Sequence, residues 1–150
     1  MNKSFRTALV LLATAASAQG QSPSPGPAPS KLQQLLADSL VLARKYATWF
    51  LTYQADSLFA HLPVDGQQQA GSPTEIGNQI LAFAAQAGSE TQLVEERWLR
   101  RDGKRQYWRK GVYSNASEPI LLRLVILPDG ALGGIGLSPA SQPPPIEPEQ

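Results

Sequence analysis

Asp102-Gly103 stands between two runs rich in β-forming residues, and this pair constrains the fold more than any other feature of the chain. An Asp-Gly pair in that setting marks a two-residue hairpin turn. If these two residues form the turn, the register of both strands follows. Arg101 faces Lys104, Arg100 faces Arg105, Leu99 faces Gln106 and Trp98 faces Tyr107. Further out, Arg97 faces Trp108, Glu96 faces Arg109 and Glu95 faces Lys110. Facing residues share one side of a sheet. The register therefore gives two opposite-charge pairs, one aromatic pair and one Arg–Trp pair, which random pairing would seldom produce.

Upstream of the hairpin the periodicity is helical. Ser30 followed by Gln33 is a capping-box pattern. Leu32, Leu35, Leu36, Leu42, Tyr46, Phe50 and Tyr53 then recur at helical spacing and define one face. A single helix running to Leu62 would be about 48 Å long, so a break is expected at 54–56. Asp56 is placed to cap a second short helix over 57–62, which Pro63 ends. Residues 64–71, with three successive glutamines, show no periodicity and are expected to form a loop. Ser72 with Pro73 and Glu75 starts another helix, whose buried stripe is Ile76, Ile80, Phe83, Ala84 and Ala87, and Gly88 ends it.

Downstream, 114–119 reads as a turn and 120–127 as a central aliphatic strand. Pro128-Asp129-Gly130 reverses the chain, and 131–137 returns as a glycine-rich last strand. Helices followed by a four-stranded antiparallel meander are an α+β plan.

The two ends read differently. Residues 1–18 have the form of a secretory signal: Lys3 and Arg6, a short apolar run over 7–15, then Ala16-Ser17-Ala18. That apolar run is too short to span a bilayer, and no later segment qualifies. The Pro/Ser-rich stretch 19–30 reads as an extended linker, and 138–150, with Pro143-Pro144-Pro145, as a solvated tail. The expected domain is thus 31–137. Loss of Lys3 and Arg6 reduces thirteen basic residues to eleven against twelve acidic ones, so the formal charge of +1 becomes −1. Net charge therefore gives no reason to expect nucleic acid or an anionic membrane as partner. With no cysteine and a single histidine, disulfides, thiolate chemistry and multi-histidine metal sites are excluded. No metal and no cofactor are expected.

In this order the elements resemble the NTF2-like superfamily, a cystatin-like α+β roll, and most of all its small secreted bacterial domains of unknown function. The likeness is carried by 72–88, a capped helix ending in glycine, and by Leu122-Arg123-Leu124-Val125-Ile126-Leu127-Pro128-Asp129-Gly130-Ala131-Leu132-Gly133-Gly134. It covers most of 40–137. It implies helices packed on a curved four-stranded antiparallel sheet, with a pocket at the wide end. Members serve as enzymes, as small-ligand binders or as accessory domains beside hydrolases or cell-wall enzymes, and a fold does not choose among these. Many members carry a short strand before the last helix, and 64–71 shows none.

Three constellations could carry function. Tyr46, Phe50, Tyr53, Trp98 and Tyr107, together with Glu96 and Arg109, could line a ligand pocket; the structural alternative is an aromatic core with a cross-strand ion pair. Asp56 could act as a pocket base with Tyr46 or Tyr53 as donors, as the likeness to NTF2-like isomerases implies; the alternative is the N-cap. His61 could be a base, but it has no carboxylate at a readable spacing, and a helix end suits it equally well. Arg97, Arg100, Arg101, Lys104 and Arg105, with Arg109, Lys110 and interleaved aromatics, could bind an anionic polymer; the alternative is a solvated hairpin whose charges prevent edge pairing. An exported location points to a cell-wall polymer and away from nucleic acid. Asn115-Ala116-Ser117 has the form of a glycosylation acceptor in a turn, and Gly133-Gly134-x-Gly136 lacks the lysine and helix of a phosphate loop.

These features together describe an exported, non-catalytic binding or accessory domain with a small ligand or an envelope protein as partner. An enzyme using a pocket carboxylate and a polymer binder using 97–110 are the alternatives. The mature protein should begin at Gln19. N-terminal sequencing or intact mass of exported material checks this, and an uncleaved chain in the cytosol contradicts it.

Overall fold

The computed structural model describes residue 28 and residues 30–145; the expected signal and most of the linker lie outside the described residues. Four helices precede four strands: α1 (Lys31–Leu51), α2 (Ala55–Ala60), α3 (Val64–Ala70), α4 (Pro73–Ala87), β1 (Glu90–Arg101), β2 (Lys104–Tyr113), β3 (Ile120–Ile126) and β4 (Leu132–Pro139). The strands form one open antiparallel sheet in the order β1-β2-β3-β4. The chain therefore has the α+β architecture expected of it. No helix among the described residues is long and apolar enough to cross a membrane.

The capping box at Ser30 forms as expected: Gln33 N donates to Ser30 Oγ and Ser30 N to Gln33 Oε1. The long helix stops at Leu51. There Tyr53 takes a positive φ of 61°, and Gln54 N bonds back to the Trp49 carbonyl. Only the second half of the expected apolar face is covered: Ala43, Tyr46, Ala47 and Phe50 are buried, whereas Leu32, Leu35, Leu36 and Tyr53 are exposed. The sheet and the other helices do not reach the first turns of α1.

Two other expectations fail. The second helix starts two residues early, with Gln54 as its N-cap and no side-chain cap bond. Asp56 lies inside its first turn, where a carboxylate meets the positive helix end without capping it. Residues 64–71 form no loop but α3. Pro63 enters it in extended backbone and Asp65 sits in its first turn. The Gln67 amide donates to the Phe59 and Leu62 carbonyls, at and just beyond the end of α2, each at 3.2 Å. Glutamine is a good helix former even without an apolar stripe, so periodicity alone missed this helix. The helix at Pro73–Ala87 is as expected, with Ser72 Oγ accepting from Glu75 N.

The hairpin register is the one deduced, residue for residue, from Arg101↔Lys104 to Glu95↔Lys110. Asp102 and Gly103 have φ of 52° and 69°, the pair of positive values that a type I′ turn requires. Beyond Glu95, β1 has two irregularities in register, at Leu93/Glu95 and Glu90/Gln92. The last strand runs two residues further than expected. Ile120 pairs with Pro139, and Ser141 bonds to the Glu118 carboxylate through its amide and hydroxyl. The start of the stretch read as tail is therefore part of the sheet.

The core lies between α1, α2 and α4 and one side of the sheet. It joins Tyr46, Phe50, Leu58 and Ile80 to Tyr107, Leu122, Leu124 and Leu132. Two bonds tie the helical layer to the β3–β4 turn and the start of β4: Tyr46 Oη donates to the Gly130 carbonyl at 2.6 Å, and Leu132 N to the His61 carbonyl at 2.8 Å. The end of α4 is held by Asn115 N on the Ala87 carbonyl.

Gly103→Ala places a Cβ at positive φ and should cost about 1–2 kcal/mol. Gly103→Asn should cost clearly less, because asparagine tolerates that region. Urea midpoints of the two variants test this; equal midpoints would mean that the turn does not hold these dihedrals.

Candidate functional site

Sheet alternation sorts the hairpin onto two faces. Glu96, Trp98, Tyr107, Arg109 and Tyr113 face the helices. Arg97, Arg101, Lys104, Trp108 and Lys110 face away from them, and β3 adds Arg123, which pairs with Trp108.

On the helix side the register holds but the expected Glu96–Arg109 ion pair does not form. Arg44 of α1 grips Glu96 through Nε, at 3.0 and 3.2 Å, and through Nη2. Tyr107 Oη donates to the same carboxylate at 2.5 Å. Arg109 instead takes Glu90 in a two-point contact, Nε to Oε2 at 3.0 Å and Nη2 to Oε1 at 2.5 Å. Gly111 makes room for that contact: a Cβ there would stand 2.6 Å from Glu90 Oε2. The Arg44 contact, helped by Tyr107, holds the Glu96 carboxyl below the usual range against the opposing effect of burial. Burial, then the bond to Glu96, pushes the Tyr107 hydroxyl up to about 12. Burial, then the charge of Glu90, also raises Tyr113. The bond to Glu90 keeps Arg109 firmly charged.

The expected pocket between helix and sheet is occupied by side chains. Tyr46, Phe50 and Tyr107 are buried in the core, Trp98 is half-buried and Tyr53 lies at the surface. Trp98 packs edge-on against Tyr107. A depression of about 10 Å³ lies among Phe50, Tyr53, Phe83, Ser89, Glu90 and Tyr113, room for about one water molecule. The buried Tyr113 Oη has no hydrogen-bond partner there.

Asp56 is exposed and its carboxylate makes no hydrogen bond or ion pair among the described residues, while the Tyr46 hydroxyl donates to the Gly130 carbonyl. The two are therefore not joined as base and donor. His61 caps α2, with Nδ1 2.9 Å from the Ser57 carbonyl, and its ring lies against Trp49. A carbonyl only accepts, so this contact places the imidazole proton on Nδ1. Asn115 is exposed in the β2–β3 turn. No group of acidic or histidine residues able to hold a metal occurs among the described residues.

The outward face is basic. The Trp108 indole is buried, and its Nε1 donates to Gln106 Oε1. The Arg97 and Arg123 guanidinium groups each lie 5.9 Å from its ring. Arg123 lies flat over Gly136, where a Cβ would stand 2.6 Å from Nη2. Its pKa is lowered by burial and then by Arg101 nearby, and its Nε is buried without a partner. Arg100 and Arg105 do not belong to this face: they lie on the helix side with Trp98, on which Arg105 stacks at 4.1 Å, its pKa lowered by burial and then by Arg100. The acids nearby are local and exposed: Glu95 lies 3.7 Å from Arg97, and Asp102 3.6 Å from Arg101.

Sequence reasoning missed Arg44, Glu90 and Arg123. Only Arg123 left a signal, a lone charge inside the aliphatic run of β3. Arg44 lies on the flank of an amphipathic helix, where arginine is ordinarily solvated. Glu90 acquires its role from a glycine twenty-one positions away.

Compared with protein-family models, curated proteins and solved structures, the chain matches none.

The polar network makes stability depend on pH at both ends. Glu96 has a depressed pKa in the fold, so its contribution is present above about pH 4.3 and is lost as pH falls through the folded value. Glu96→Gln should flatten that acid limb. The raised Tyr107 value means the opposite sign. Its contribution is complete below about pH 10 and is lost as pH rises toward about 12. Tyr107→Phe should cost about 1.5–3 kcal/mol at neutral pH and shed less between pH 10 and 12. Denaturant titrations across pH check both; wild-type slopes in either variant would contradict the network.

Proposed function

We propose that the chain is a non-catalytic binding module that holds an anionic envelope polymer, phosphate- or carboxylate-bearing, against the outward face of its hairpin. The observation that supports this reading best is that Arg97 and Arg123 both lie by one buried indole, that of Trp108, with Arg101 near Arg123 on the same face. Arginines from two non-adjacent strands are brought close enough for Arg101 to oppose the charge of Arg123. Like charges on neighbouring strands destabilise a sheet, and at the hairpin end of this face Arg101 stands opposite Lys104, whereas the Arg100–Arg105 pair lies on the helix side and takes no part. An anionic chain laid along this face offsets that repulsion. Guanidinium groups pair two-point with phosphate or carboxylate, and Trp108 gives them a rigid apolar floor. The likeness to secreted NTF2-like accessory domains and the signal-like 1–18 support an exported setting, where such polymers occur. The enzyme alternative has no observation in its favour comparable to the arginine cluster.

The test is binding to a poly(glycerol phosphate) chain, followed by tryptophan fluorescence, with a single-stranded oligonucleotide of matched charge as comparison. Affinity should fall as salt rises. The triple change Arg97→Gln, Arg101→Gln, Arg123→Gln keeps much of the aliphatic stems and should weaken binding by about tenfold or more, as the loss of several exposed charge contacts implies. Unchanged affinity in a folded triple variant refutes the surface. Tighter binding to the oligonucleotide refutes the envelope polymer.

A further inference from the structure

The first half of α1 carries a leucine face that nothing in the described fold covers. Leu32, Leu35 and Leu36 are 66%, 55% and 42% exposed, whereas contact with the core begins at Leu40 and full burial at Ala43. These leucines are not on the solvent side of the helix. At 3.6 residues per turn, Leu32 lies directly above Phe50, and Leu36 above Ala43. The stripe that seats α1 on the core therefore runs on past the edge of the domain. A helical segment of this length is marginal alone in water, so a projecting piece needs packing to persist.

The flank of the stripe indicates what packs there. Lys31 and Asp38 are seven residues apart and lie on the same side of the leucines. Lys31 has no ion pair among the described residues, and Asp38 takes only the Gln34 amide at 3.0 Å. When two such helices lie antiparallel about a two-fold axis, like flanks meet, and residue i contacts j while j contacts i. An axis near Leu35 brings Lys31 of each copy to Asp38 of the other and packs Leu32 against Leu36. A parallel pair has no such match, because Lys31 and Asp38 would then both meet the opposite flank, at Gln33 and Ala37. In the antiparallel arrangement each copy's Ala43 lies opposite a position before the other helix begins, so the two domain bodies project from opposite ends.

We infer that the protein self-associates through residues 31–39 of α1, as an antiparallel two-helix seam with a second copy of this chain. This is independent of the hairpin reading. The overlap is about two turns, so the interface is well below the size of stable dimers and association is reversible in the micromolar to millimolar range.

Sedimentation velocity over a concentration series, on protein made from its full-length coding sequence, tests the seam. The expected result is a monomer–dimer equilibrium. Leu35→Asp should abolish it without unfolding the domain, because Leu35 lies outside the core. Lys31→Asp alone and Asp38→Lys alone should each weaken it by about threefold to tenfold, since reversal turns attraction into repulsion in both symmetric pairs. The double swap Lys31→Asp, Asp38→Lys should return it to within about twofold of wild type. The seam is overturned by a monomer at every concentration, by a dimer indifferent to Leu35, or by charge reversals that the double swap does not rescue. It is overturned too if the leucines prove protected in a monomer, which would mean that the chain's own N-terminal segment covers them. The hairpin triple variant should dimerise as wild type does.

Discussion

The positive-φ turn at Asp102 and Gly103 fixes a register in which Tyr107, Arg109 and Tyr113 meet the helices while Trp108 and Arg97 face away. Side chains alternate along a strand, so a slip of one residue would exchange the two sets. The core would then receive Trp108 with two guanidinium groups, and Tyr107 would go to water. Both faces are therefore set by the same two dihedrals, and the helices can seat only on a sheet already in this register.

The register also separates charge. The acids of β1 that face inward, Glu90 and Glu96, are each taken by an arginine on the helix side, one from the sheet and one from α1. Arg44 and Tyr107 on one carboxylate join the helix layer to two strands at once. Nothing comparable happens outside. There the basic residues outnumber Glu95 and Asp102, and Arg123 arrives from β3 to concentrate the charge further. The basic face is thus the counterpart of a well-satisfied interior: the inward acids are occupied and cannot neutralise it.

Much of the fold was legible because the signals were local and mutually consistent. Ser30 with Gln33, Ser72 with Pro73 and Glu75, and Asp102-Gly103 each name an element end by a mechanism that acts within four residues. Asp56 looks like a cap, but Gln54 takes that place at the chain reversal after α1, and 64–71 lacks a helical period although Gln67 binds the Phe59 and Leu62 carbonyls at the end of α2. The leucines at 32, 35 and 36 show the correct period, but periodicity reports a face and not what covers it. The candidate site was legible in part. Residues 97–105 were evident as a basic run, whereas the contribution of Arg123 requires β2 and β3 to lie side by side. The likeness to NTF2-like domains suggested a pocket, and the volumes of Tyr46, Phe50 and Tyr107 occupy that space.

The two bonds from the β3–β4 turn and the start of β4 to the helical layer have a consequence for how the chain is made. The Tyr46 hydroxyl waits for a carbonyl at position 130, and the His61 carbonyl for an amide at 132. Leu132, among the most deeply buried side chains, arrives with them. Closing these long loops costs entropy before any of the contacts reward it. A chain growing from its N-terminus thus carries an unfinished core until β4 has been made, and it can stay loosely structured for most of its synthesis.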